Sequence, residues 1–276
     1  MAVDMLSYIE RDSIIHRLSG TTKLIGFLLW SSAAMLTYDT RVLIFLFIAS
    51  LILFKSSRVL FKDISFLVYF MLIFLSLNTI AIYLFSPQEG VRIYESSTVL
   101  IPLGGHFDLT AEELFYLANI MLKYITVIPA ALLFIATTNP SEFASSLHRI
   151  GVNYKIGYSI SIAMRYIPDI QRDYRTIAMA QQARGIDLSN KEKLSKRVKN
   201  ALTIVTPLIF SSLERIEQIS NVMDLRGFGK QKKRTWYAAR SFRKNDVIAL
   251  VIIVVFFCAS MVITYYDGSR FYNPFH

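Results

Sequence analysis

One cysteine, Cys258, is all the chain has, so no intrachain disulfide can form and a cysteine-based metal site would lack its second thiolate. It lies inside an apolar block, where a small buried or lipid-facing side chain is expected. The four histidines, His16, His106, His148 and His276, are widely separated and form no His-Glu-x-x-His pair. No Gly-x-Ser-x-Gly nucleophile elbow is present. A phosphate-binding loop is missing too. Gly227-Phe228-Gly229-Lys230 offers glycine and lysine, but Asp224 stands where that motif needs its first glycine and Gln231 where it needs Ser or Thr. From these absences a non-catalytic chain that binds no cofactor itself is expected. Any ATP it depends on must be held by another subunit. No cleavable signal peptide is expected either, because the first twenty residues are mixed polar and Lys23 directly precedes the first apolar run.

Hydrophobicity is abundant. Of 276 residues 54% are hydrophobic, and the mean hydropathy is +0.43, too apolar for an ordinary soluble domain. A hydrocarbon core of about 30 Å takes roughly 20 helical residues to cross. Ile64–Phe85, Leu114–Thr137 and Val247–Tyr265 meet that need, and Leu24–Phe54 reads as two shorter helices turning at Asp39-Thr40-Arg41. The expectation is an all-α polytopic membrane protein with about five spans. Residues 1–137 form a four-helix membrane domain, 138–246 a cytoplasmic domain of long amphipathic helices, and 247–276 the last span with an outer tail.

Charge orients these spans. Residues 1–23 carry Arg11, Arg17 and Lys23, and 55–63 carry Lys55, Arg58 and Lys62. The 86–113 loop has Arg92 against five acids, Glu89, Glu95, Asp108, Glu112 and Glu113. From 138 to 246 there are 20 Lys and Arg against 9 Asp and Glu, enough to account for the whole net charge of +10. The N-terminus and 138–246 are therefore expected in the cytoplasm of a bacterial cell, and the C-terminus outside. The 86–113 segment, with Pro87, Gly90, Pro102 and Gly104-Gly105, reads as a loop with a short extended piece.

The basic segment is ordered. Thr138-Asn139-Pro140-Ser141-Glu142 is a helix-start signature, and Gly151 should stop that helix near Ile150. From Lys155 to Arg184, apolar Ile160, Met164, Ile167, Ile170, Tyr174 and Ile177 recur at helical spacing, with Pro168 marking a bend or break. Residues 187–200 read as a polar, lysine-rich connector. They lack the interleaved aromatics of a nucleic-acid surface, so no nucleic-acid partner is expected. A second amphipathic run, Ala201 to Arg226, contains Pro207. Both runs end alike, in Ala183-Arg184-Gly185 and Leu225-Arg226-Gly227: an arginine on the last turn, a glycine as the stop. One such end is explained by the arginine's attraction to its own helix C-terminus. Two of them, preceded by small or apolar residues, fit helix tips that enter a groove and offer a guanidinium fork to a carboxylate.

Three other residues stand out. Lys123 lies mid-span, where an ammonium is costly unless it snorkels or pairs. Arg165 and Asp169 are four apart and suited to an intrahelical pair, with Pro168 between them. Arg165, Pro168 and Lys123 are candidates for structural pairing or for a partner interface.

Met164-Arg165-Tyr166-Ile167-Pro168, Ala180-Gln181-Gln182-Ala183-Arg184-Gly185 and Met223-Asp224-Leu225-Arg226-Gly227-Phe228-Gly229 together resemble the transmembrane T component of energy-coupling factor (ECF) transporters, a branch of the ATP-binding-cassette importers. Leu225 departs from the small residue usual in the family's second motif. The resemblance implies that each Arg-Gly end docks into one of two cytoplasmic ABC-type ATPases, which carry the ATP and Mg. It also implies a small membrane-embedded S component that binds a vitamin or other micronutrient. Two rival readings remain at this point. A conventional ABC importer permease would need polar groups facing across its spans, and a membrane-bound enzyme has only Asp169, Asp173 and His148 to offer.

Overall fold

The computed structural model describes residues 13–58, 61–102, 104, 107–186, 194–231, 235–236, 239–266 and 269–275. Arg11, Gly105, His106 and His276, named above, lie outside the described residues, as do residues 187–193 of the lysine-rich connector. The chain divides into two compact units, one of residues Met1–Asn139 with Arg240–His276, the other Pro140–Ala239.

The first unit contains α1 (Ile14–Arg17), α2 (Gly20–Leu36), α3 (Thr40–Ser56), α4 (Phe61–Phe85), α5 (Glu89–Tyr94), β1 (Val99–Ile101), β2 (Leu109–Thr110) and α6 (Ala111–Thr137). Its last helix, Lys244–Tyr266, follows the second unit in the chain. Among the described residues three helices are long and apolar enough to cross a membrane: Ser65–Phe85, Ala111–Thr137 and Lys244–Tyr266. The α2–α3 hairpin turns where expected, with Asp39 capping α3 by accepting from the Arg41 N–H at 2.9 Å. Its helices have 17 residues each, about 26 Å at 1.5 Å per residue, the short end of what spans a bilayer.

Packing centres on α6, which touches α2, α3, α4 and α5. Ala33 and Ala34 let backbones approach and, with Val42 and Leu46, form a core against Trp30, Val127, Phe256, Phe257 and Met261. Lys23 is buried, its ammonium donating to the Thr137 carbonyl at 2.7 Å and so closing the free C-terminal end of α6. Asp246 is buried as well. It accepts from the Ser19 N–H at 2.7 Å, the Thr22 hydroxyl at 3.0 Å and the Arg243 N–H at 2.9 Å, tying the starts of α2 and the last helix together.

The 86–113 segment is more structured than a loop. It holds α5 and the antiparallel β1–β2 pair, and two of its five acids are not surface charges. Glu112 is fully buried, accepting from Thr98 N–H at 3.0 Å and from the Ser96 and Thr98 hydroxyls, while Glu113 accepts from Gly90 N–H at 2.7 Å. A side chain at position 90 would sit 2.4 Å from the Glu112 carbonyl oxygen, so only glycine fits.

The second unit contains α7 (Pro140–Arg149), α8 (Tyr154–Ala183) and α9 (Leu194–Leu225), which makes the Lys244–Tyr266 helix α10. Gly151 ends the α7 turn in the left-handed region at φ 103°. Two expectations change. Of the bend or break expected at Pro168 the break is absent, since the helix runs unbroken there, as it does through Pro207. And α9 begins at Leu194, so half of the supposed connector is helix, because lysine and arginine are good helix formers that need no apolar stripe.

Candidate docking site

The two Arg-Gly ends are built alike, hydrogen bond for hydrogen bond. At the end of α8, Arg184 is the C-cap and Gly185 takes φ 84°. The Ile186 N–H donates to the Gln181 carbonyl at 3.1 Å and the Gly185 N–H to the Gln182 carbonyl at 2.9 Å. At the end of α9, Gly227 takes φ 66°, the Phe228 N–H donates to the Met223 carbonyl at 2.9 Å and the Gly227 N–H to the Asp224 carbonyl at 2.9 Å. Both are the Schellman arrangement, in which a left-handed residue turns the chain back onto the last carbonyls. The stop fixes where the arginine leaves the helix, which is what a docking tip requires. Ala183, Arg184 and Gly185 are exposed, as are Leu225 and Arg226, and Leu225 stands 88% exposed, an apolar knob at the apex of its helix. Gly227 is half-buried.

Three contacts establish that α8 and α9 run antiparallel. Gln181 reaches Thr203, Asp173 pairs with Arg215, and Tyr158 stacks against Phe228 with ring centroids 4.8 Å apart. The Arg-Gly ends therefore lie at opposite ends of the helix pair. From Tyr158 to Gln181 the rise along α8 is about 35 Å, which approximates their separation.

Each end is braced by the other helix. Phe228, just past Gly227, packs on Tyr154 and Tyr158 at the start of α8. Trp236 joins that cluster against Tyr158 and His148. Gly157 permits the close approach, since a Cβ there would meet the Ala144 carbonyl oxygen at 2.9 Å and the Trp236 ring at 3.3 Å. At the other end Gln181, three residues before Arg184, donates its side-chain N–H to the Thr203 carbonyl at 3.3 Å. Midway, Arg215 donates to Asp173 at 2.8 Å and lies 5.8 Å over the Tyr166 ring.

The remaining candidates sit elsewhere. Arg165 and Pro168 are exposed on α8. Asp169 faces Arg172 at 3.6 Å, an i,i+3 pair in place of the expected pairing with Arg165. Lys123 is 5% exposed inside the first unit, its ammonium 3.3 Å from the centre of the Tyr38 ring. The Arg270 guanidinium approaches the same ring at 5.4 Å. A cation over an aromatic face is an answer to burial that needs no acid, and sequence spacing could not reveal it because Tyr38 lies in the α2–α3 turn.

Residues 11–237 match the family described as Cobalt transport protein, CbiQ. The chain belongs to this family. Similar proteins include the "Energy-coupling factor transporter transmembrane protein EcfT" of Bacillus selenitireducens, 29% identical over 269 residues, covering 95% of this chain and 97% of that protein. The protein of the same name from Limosilactobacillus fermentum is 31% identical over 173 residues, 57% of this chain and 64% of its own length. That from Thermotoga maritima is 26% identical over 255 residues, 89% and 88% of the two chains. As a member of this family the chain is a transmembrane transport component of the ECF type.

Proposed function

We propose that this chain is the scaffold of an ECF importer, coupling ATP hydrolysis by two cytoplasmic ATPase subunits to reorientation of a membrane-embedded S component that carries a vitamin or other micronutrient. The observation that carries the reading is the pair of identically capped Arg-Gly ends at opposite ends of one antiparallel helix pair. In this reading Ala183, Arg184 and Gly185 dock in one ATPase and Leu225, Arg226 and Gly227 in the other, each arginine meeting a carboxylate. ATP binding and hydrolysis close and part the ATPases. Because the tips are anchored, that movement changes the angle between α8 and α9.

The S component rests on the outer apolar faces of α8 and α9, where Ile167, Ile170, Phe210, Leu213 and Ile216 are exposed. Arg165 and Pro168 border that surface. This chain does no bond chemistry; ATP and Mg stay on the ATPases. The test is affinity purification of the full chain from its native membrane. Recovery of two ATPases and a small hydrophobic protein supports the reading. Recovery of the chain alone, with transport activity after reconstitution by itself, rules it out in favour of an independent permease.

A further inference from the structure

Two long helices joined only by apolar side chains could roll or slide on one another, because hydrophobic contact has no preferred direction. Hydrogen bonds do. Pro207 carries no N–H, so the Thr203 carbonyl, four residues earlier in α9, lacks its regular helical donor. The side chain of Gln181 on α8 donates to that oxygen at 3.3 Å. A second directional contact, Asp173 to Arg215 at 2.8 Å, lies eight residues back along α8, about 12 Å away. One such contact would be a pivot. Two set an angle, since rotation about either one pulls the other apart.

We propose that Gln181 and Asp173 are positioning residues which set the resting crossing angle of α8 and α9, with Pro207 supplying the free carbonyl that Gln181 holds. The angle changes when the Asp173–Arg215 pair parts. This rests on the docking reading for its purpose but not for its existence: the clamp belongs to the free chain. It places a residue of the Ala180–Gly185 stretch, Gln181, in a task separate from docking, and it gives the proline inside α9 a use other than bending.

The test uses the full chain in lipid nanodiscs with Cys258→Ser, which removes the native thiol, and spin labels at Met179→Cys and Val222→Cys. Both label sites are exposed and leave the Arg-Gly ends intact. The expected result is one narrow distance distribution that widens about twofold in Asp173→Ala with Gln181→Leu, and narrows again when Asp173→Arg is combined with Arg215→Asp in the presence of Gln181. In Pro207→Ala the Thr203 carbonyl regains a helical donor, so Gln181→Leu should add no further widening there. An unchanged width in the Asp173→Ala, Gln181→Leu chain overturns the clamp, as does a charge swap that fails to restore it. If the distances behave as expected while Arg184→Glu and Arg226→Glu leave ATPase capture intact, the clamp stands and the docking reading falls.

Discussion

Gly185→Ala isolates the backbone at one Arg-Gly end from everything else there. Gly185 sits at φ 84°, and a Cβ added to it meets no atom within 4 Å. The substitution therefore causes no clash, and its cost is the left-handed conformation alone, about 1–2 kcal/mol for an L-residue. Stiffening of the unfolded segment changes the balance by about 0.4–1 kcal/mol, but stabilises only where the native φ suits alanine, which it does not here. A net penalty of about 1 kcal/mol falls on a helix terminus, where opening free energies are near zero. The ratio of ordered to frayed tip should then drop about fivefold from near unity, which lowers the competent fraction, and with it the apparent ATPase affinity, about threefold. Asparagine tolerates this region better, so Gly185→Asn should lose much less. Amide hydrogen exchange at Gly185 and Ile186 reads the fraying, and titration of the ATPase pair against the chain in nanodiscs reads the affinity. If Ala, Asn and Gly are indistinguishable in both assays, the argument that the Schellman stop positions Arg184 is refuted.

Three further outcomes follow from the packing. Ala34→Leu, at a site 0% exposed between α2 and its neighbours, should overpack the core and cost about 1–3 kcal/mol, read as a lowered thermal midpoint in detergent. Asp246→Ala should strand the Ser19 and Arg243 N–H groups and the Thr22 hydroxyl and cost about 1–3 kcal/mol; Asp246→Asn, keeping acceptor capacity, should cost less in the same measurement. Gly157→Ala should push α7 from α8 and loosen the Trp236 cluster, seen as a shift in tryptophan emission, with Trp30 replaced by Phe to isolate the signal.

Local signals in the sequence translated well. The Thr138–Glu142 start and the Gly151 stop bracket α7, and both Arg-Gly ends close as their glycines suggest. What escaped depends on partners distant in the chain. Glu112 and Glu113 count as outer charges by sign, yet Thr98 and Gly90 draw them inside. Lys23 reads as a flanking charge but closes the end of α6 at Thr137. The early start of α9 was hidden because Lys196, Arg197 and Lys199 give no apolar period. Gln181 appears in the motif that carries the resemblance, but its acceptor is legible only once α8 and α9 are known to be antiparallel. The spacing from Pro207 back to Thr203 was the one available hint.

The central claim is that the two ends are separate docking contacts, one per ATPase. Its most direct measurement is the stoichiometry of ATPases bound to purified full chain carrying Arg184→Glu, Arg226→Glu or both. The account predicts that each single reversal releases one ATPase and the double releases both, with membrane insertion and S-component binding retained. Two ATPases still bound to the double variant would contradict it.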